Sequence, residues 1–203
     1  MTKNNNKGFD EEDQEFNDTE TETAKKKLGK AVYAQIKGTN VKVEDHQDAR
    51  IIYDNGFYGT LEKDKSLSLN FEETLHLMER GIIKVSDERG VWLELADCTR
   101  LFSQKKENFW TDYLVYKDLR NRGYIVGEGI SDIVKYRIYS RGAKVGTDVA
   151  KTMICPLSES STINLETLDA IVTQTQSLKK RVLIACVDRL GDVSYYELQP
   201  VFK

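Results

Sequence analysis

Leu178–Leu198 reads LKKRVLIACVDRLGDVSYYEL. Val182–Val187 is an unbroken apolar run, which predicts a central strand buried on both faces. Arg189-Leu190-Gly191 supplies turn residues, and DVSYYEL returns as a second strand, so the stretch reads as a β-hairpin. Immediately upstream, Leu165, Leu168, Ile171, Val172, Thr175 and Leu178 fall on one face of a helix spanning Asn164–Leu178. Further back, YIVGEG, VKYRIY and AKTMICPL each read as a strand, the last stopped by Pro156. A small mixed sheet flanked by helices follows from this alternation.

The N-terminal half has its own pattern. AVYAQIKGTNVKV gives two short strands about a Gly38-Thr39-Asn40 turn, and Asp54-Asn55-Gly56 within ARIIYDNGFYGTL reads as another turn. Asn70 is placed to cap a helix, with Glu73 three residues on, Phe71, Leu75 and Met78 on its apolar face and Gly81 at its end. GIIKVSDERGVWLEL reads as a short strand pair about Asp87–Gly90. A long helical region then runs from about Asp97 to Arg122, striped by Leu101, Phe109, Tyr113, Tyr116 and Leu119 and ended by Gly123. The fold class is therefore mixed α/β, or α+β: a small N-terminal α/β domain over 28–110, then a C-terminal domain over 111–203 with a mixed central sheet. The boundary lies near Asn108–Asp112, inside or beside a helix, so the halves should pack together. Met1–Lys27 is poor in apolar residues and rich in Asn, Asp, Glu and Thr, which predicts a disordered acidic tail.

The chain has 203 residues and a net charge of −3, unevenly spread. Tyr113–Lys203 carries thirteen basic and ten acidic residues, and the segments before it are each net acidic. The basic excess permits contact with a polyanion at the C-terminal domain. There is no run of about 18 apolar residues and no signal-like start, so a cytoplasmic protein without a membrane anchor is expected. Cys98, Cys155 and Cys186 are scattered and odd in number, which argues against a disulfide framework or a zinc site and predicts buried free thiols. No cofactor or metal motif is present. His46 lies among Asp45, Gln47 and Asp48 and reads as a loop residue; His76 reads as a packed or surface histidine of the capped helix.

Three stretches, YLVYKDLRNRGYIVGEG from Tyr113, KYRIYSRGAKVG from Lys135 and the hairpin from Leu178, together resemble the nuclease domain of the archaeal tRNA-intron splicing endonucleases. NGFYGTLEKDKSLSLNFEETLHLMERGIIKV, with Tyr58-Gly59, is similar to the N-terminal segment of the same family, so the resemblance covers about Leu28 to Lys203. It implies metal-independent RNA cleavage by attack of a 2′-hydroxyl on the adjacent phosphorus, leaving a 2′,3′-cyclic phosphate and a 5′-hydroxyl. Such chemistry needs a base, an acid for the departing oxygen and a cation for the phosphorane charge. In the family these are a tyrosine, a histidine and a lysine.

The resemblance places the tyrosine at Tyr139, in YRIYSRG, and the lysine at Lys180, in KKRVLIACVD. The histidine position falls at Val149, which can neither donate nor accept a proton. The family loop before the tyrosine has drifted to GISDIVKYRIY, and the intron-gripping arginine falls at Thr173. Taken alone, Tyr139 suits an ordinary strand and Lys180 the C-terminal end of a helix dipole. With the resemblance, both are vestiges of an active site.

The resemblance also implies assembly through an acidic hairpin loop and a C-terminal strand that pairs tail to tail. Here these correspond to Asp188, Gly191 and Asp192, and to Tyr195, Leu198, Val201 and Phe202, although Gly and Asp also suit a plain turn. The implied protein is a structural subunit that joins a catalytic endonuclease subunit, two plus two, to process precursor tRNA. The alternatives are a competent nuclease subunit using Tyr139 and Lys180 without the histidine, and an RNA-binding protein unrelated to splicing.

Overall fold

The computed structural model describes residues 30–140, 143 and 148–199; the acidic N-terminal stretch, Gly146, Thr147, Val201 and Phe202 lie outside them. Strict alternation at β1 (Val32–Lys37) buries Val32, Ala34 and Ile36 and turns Tyr33, Gln35 and Lys37 outward. With β2 (Asn40–Val43), β3 (Thr60–Leu61), β4 (Leu67–Leu69), β5 (Ile83–Ser86) and β6 (Trp92–Leu93) it forms a mixed sheet in the order β3-β4-β2-β1-β5-β6, in which β1 and β5 run parallel. The second sheet holds β7 (Ile125–Glu128), β8 (Tyr136–Tyr139), β9 (Thr152–Ser158), β10 (Arg181–Val187) and β11 (Val193–Leu198) in the order β11-β10-β9-β8-β7. Only β9 and β10 run parallel there, joined through a helix. The mixed α/β expectation holds for both halves.

Among the described residues five helices accompany the sheets: α1 (His46–Gly56), α2 (Phe71–Glu79), α3 (Leu95–Lys105), α4 (Phe109–Asn121) and α5 (Leu165–Ser177). The capping box expected at Asn70 is complete: its side chain accepts from the Glu73 amide at 2.8 Å, and Glu73 accepts from the Asn70 amide at 2.9 Å. One hydrophobic core runs from β1 through α2 and α4 to β9 and β10. A smaller core between α5 and the far face of the second sheet holds Val134, Met153, Cys155, Ile171 and Val182. Burial pushes the Cys98 and Cys155 thiols up to about 12. Among the described residues no helix is long and apolar enough to cross a membrane.

Five local expectations are corrected. His46–Gly56 is helical rather than a loop and turn, because Asp45 accepts from the Gln47 and Asp48 amides at 3.0 and 2.9 Å and starts α1. That helix ends one residue beyond the Asn55-Gly56 signal, at Phe57 with φ of 51°. The long helical region is two helices, broken at Asn108, whose φ of 57° reverses the backbone. Pro156 does not stop β9. The β8–β9 ladder has ended by the Tyr136–Ile154 pair, so that side of β9 is open where a missing N–H is tolerated. Finally, α2 is buried around most of its circumference rather than on one stripe, and α5 leaves Leu165 and Leu178 exposed.

Because α2 is enclosed, its polar residues need internal partners. The Lys106 ammonium binds the Glu72 carboxylate and lies 3.4 Å from Asp112, which Lys135 approaches at 3.7 Å. Burial pulls the Lys106 pKa down, but Glu72 and Asp112 outweigh it and the net shift is upward, so the lysine stays charged. Arg120, also buried, donates to the Gly56 carbonyl at 2.8 Å and lies 3.8 Å from the centre of the Tyr58 ring. Gly56 is required there: a Cβ would sit 2.5 Å from Tyr58 Cε2.

Two predictions follow from this enclosed helix. Lys106→Ala strands the nearly inaccessible Glu72 without its cation and leaves Asp112 only Lys135 at 3.7 Å, so it should cost about 3 kcal/mol. A thermal melt should show a fall of roughly 6–12 °C for a chain of this size. His76 is 2% exposed, between the Tyr58 and Tyr116 rings, and neither of its nitrogens has a hydrogen-bond partner among the described residues. Burial, then Arg120, Arg80 and Lys117, hold its pKa well below 6.5. The unfolded chain therefore binds a proton that the folded chain refuses, and stability falls as pH drops below about 6.5. Denaturant titrations at pH 7.5 and 5.5 should show the native chain losing about 1 kcal/mol more than His76→Leu.

Candidate functional site

Strand register brings the two sequence-predicted residues of the nuclease site to one face. Arg137 pairs with Met153 and Met153 with Val182, so Tyr139 and Lys180, each two residues from a member of that row, belong to the same side of the second sheet. It is the side that α5 covers, at the end of the sheet where α5 finishes. The Tyr139 ring is 8% exposed and lies over Gly127, with the Arg137 guanidinium 5.9 Å from its centre. A Cβ on Gly127 would come within 3.4 Å of that ring and 3.2 Å of Arg137 Nε, so the bare glycine makes the seat for it.

Lys180 is half-buried, and its ammonium donates to the Ala150 carbonyl. Ala150 follows Val149 in the chain, so Val149 lies one residue from the carbonyl that the lysine engages. Val149 itself is 71% exposed, its isopropyl group presented to solvent with no acid–base function. The chain's two histidines cannot replace it locally: His76 is enclosed beneath Tyr58, and His46 is the exposed first residue of α1. Thr173, where the resemblance would put the arginine, is exposed on α5. The GISDIVKY loop folds back tightly, with Gly129 N–H donating to Lys135 at 2.7 Å, and a Cβ at Gly129 would overlap the Val134 carbonyl. Tyr139 also lines a cleft of about 950 Å³ between the two halves, with Lys106, Lys135 and Arg137 among its basic residues and Glu72, Glu128 and Asp132 among its acidic ones.

The hairpin residues divide into inward and outward sets. Asp188 is occupied within the turn, accepting from the Leu190 and Asp192 amides at 2.8 and 3.0 Å, and Gly191 takes a φ of 92°. Asp192 is exposed, and Leu190 at the tip is 89% exposed. Tyr195 faces the core and donates to Asp118 at 2.7 Å, with Arg122 against its ring; burial, reinforced by Asp118, raises its pKa far above the ordinary value. Leu198 packs with the α5 core, whereas Tyr196 is 59% exposed. Val201 and Phe202 are outside the described residues. Sequence reading did not single out Ala150 or Gly127, because one acts through a carbonyl and the other through the absence of a side chain. Arg137, in the quoted KYRIYSRG stretch, was the legible signal that went unused.

The sequence of this chain has known relatives. Residues 109–195 match the family model of the tRNA intron endonuclease catalytic C-terminal domain, and residues 32–97 match the tRNA intron endonuclease N-terminal domain. The chain belongs to the tRNA-splicing endonuclease family. It is 34% identical over 165 residues to the tRNA-splicing endonuclease of Pyrococcus furiosus, covering 81% of this chain and 93% of that protein. It is 30% identical over 165 residues to that of Methanothermobacter thermautotrophicus, covering 81% and 95%. The tRNA-splicing endonuclease of Methanococcoides burtonii is 35% identical over 147 residues, covering 72% of this chain. The chain spans 40% of the Methanococcoides burtonii relative and 45% of the Methanosarcina mazei one.

Proposed function

We propose that this chain is a structural subunit of a tRNA-splicing endonuclease, assembling with a catalytic subunit to process precursor tRNA. The observation that carries it is the exposed Val149, one residue from the carbonyl that occupies the Lys180 ammonium. A general acid contributes about 10²–10⁴ in rate, and no imidazole stands in for the missing one. The drifted loop before Tyr139 and the exposed Thr173 support the same reading. Leu190, Asp192 and Tyr196 supply outward-facing groups suited to a subunit contact, on a hairpin braced from within by Asp188 and Tyr195. A two-plus-two assembly with the partner's complete Tyr/His/Lys set is the arrangement proposed.

The test uses this chain co-assembled with a family member that has all three residue types, and a precursor tRNA bearing a bulge-helix-bulge. Tyr139→Phe and Lys180→Ala should each leave the complex's single-turnover cleavage rate within about twofold. Omitting this chain altogether should reduce it by at least tenfold. Loss of about 10²-fold or more from either substitution, with assembly intact by sedimentation, would instead favour a competent nuclease subunit that lacks the histidine.

A further inference from the structure

Among the described residues, no helix or sheet packs over the outer face of the N-terminal sheet. Helices α1, α2 and α3 pack on the side that carries Val32, Ala34, Ile36, Val41, Ile83 and Val85. By register, the opposite side carries Tyr33 and Gln35 of β1, Lys42 of β2, Lys84 of β5 and Trp92 of β6. Tyr33 and Trp92 are 58% and 56% exposed, with ring centres 5.1 Å apart and planes inclined by 46°. Lys84 is directly paired with Tyr33 and forms no ion pair among the described residues. No strand position on that face of β1–β6 is Asp or Glu. Acidic groups enter at the rim: Glu44 and Asp64 hold Lys37 and Lys42 in exposed pairs of 2.8 and 2.7 Å, contacts that are weak in water, and the Glu88 carboxylate is taken up by the Gly38 amide at 3.1 Å.

We infer that this face binds single-stranded RNA, stacking an unpaired base on the Tyr33–Trp92 pair and meeting the adjoining phosphates with Lys84 and Lys42. The inference rests on the reading that the assembled protein acts on RNA, and it places a second contact surface on a different sheet from Tyr139 and Lys180. Large aromatic rings left exposed on a sheet, with cations beside them and no anions among them, are the combination that single-stranded nucleic acid requires. A second protein is the poorer match. Lysine is depleted at protein–protein interfaces, and here lysine sits beside the rings rather than at a distant rim. Duplex RNA is also a poorer match, because its stacked bases offer no free faces to the rings.

The test is a fluorescence titration of the full chain with a short unstructured single-stranded RNA. A Trp110→Phe background leaves Trp92 as the sole tryptophan of the two. The RNA should quench Trp92 emission. Trp92→Ala and Tyr33→Ala, followed by anisotropy of labelled RNA, should each weaken binding about tenfold, while Trp92→Phe retains most of it. Lys84→Ala should flatten the dependence of log affinity on log salt by about 0.7. Circular dichroism and melting of each variant separate lost contact from lost fold, since these exposed positions should leave stability nearly unchanged. Unchanged affinity in both alanine variants overturns the inference, as does failure of the native chain to bind the RNA or a preference for duplex. A fall in oligomeric mass on Trp92→Ala also overturns it, assigning the face to a second copy. Because binding is read on this chain alone, loss of RNA affinity in Trp92→Ala supports the face even if the chain fails to support cleavage by a partner.

Discussion

The Lys106 ammonium is the tie on which the arrangement of both halves depends. It reaches from the link between α3 and α4 to Glu72 on α2 and Asp112 on α4, while Lys135 brings the loop before β8 to the same carboxylate. A low-dielectric setting makes these attractions strong and makes any missing member expensive. Tyr136 adds a neutral bond to the Asp112 carbonyl at 3.0 Å, so one turn of α4 holds the second sheet by both charge and hydrogen bonding. The nuclease-like face is consequently carried on a rigid base that belongs to neither half alone.

Much of the fold was legible because its signals were local. The Asn70–Glu73 box, the Gly38 turn and the Arg189–Gly191 turn each state a backbone requirement in a few residues. Misreadings arose where tertiary surroundings outweighed such signals. Asn55-Gly56 resembles a turn, but Asp45 had already committed the segment to a helix. Pro156 is a strand breaker only where a paired strand needs its N–H, and the length of β8 cannot be read from β9. The extra burial of α2 was invisible to periodicity because polar residues such as Glu72, Thr74 and His76 are enclosed with internal partners or none.

The candidate site was legible to a different degree. Tyr139, Lys180 and the substituted Val149 come from flanking runs specific enough to align, and the register then places the first two on one side of a sheet. The carbonyl of Ala150 and the seat made by Gly127 carry no side-chain signature, so they needed coordinates. The hairpin shows the same limit. Its sequence announces a turn with two carboxylates, but not that Asp188 is spent on the turn's own amides while Asp192 stays free to face outward.

The parallel pairing of β9 with β10 has a consequence for how this lineage can change. Val182 and Ala185 are locked into buried positions by that pairing, and a slip of one residue would carry Lys180 to the opposite face along with them. The lysine's station is thus inherited from packing and persists without any selection for cleavage. On the structural role proposed above, Tyr139 and Lys180 are held in place by packing alone, and a histidine at Val149 would be a change at a solvent-facing position that disturbs no core contact.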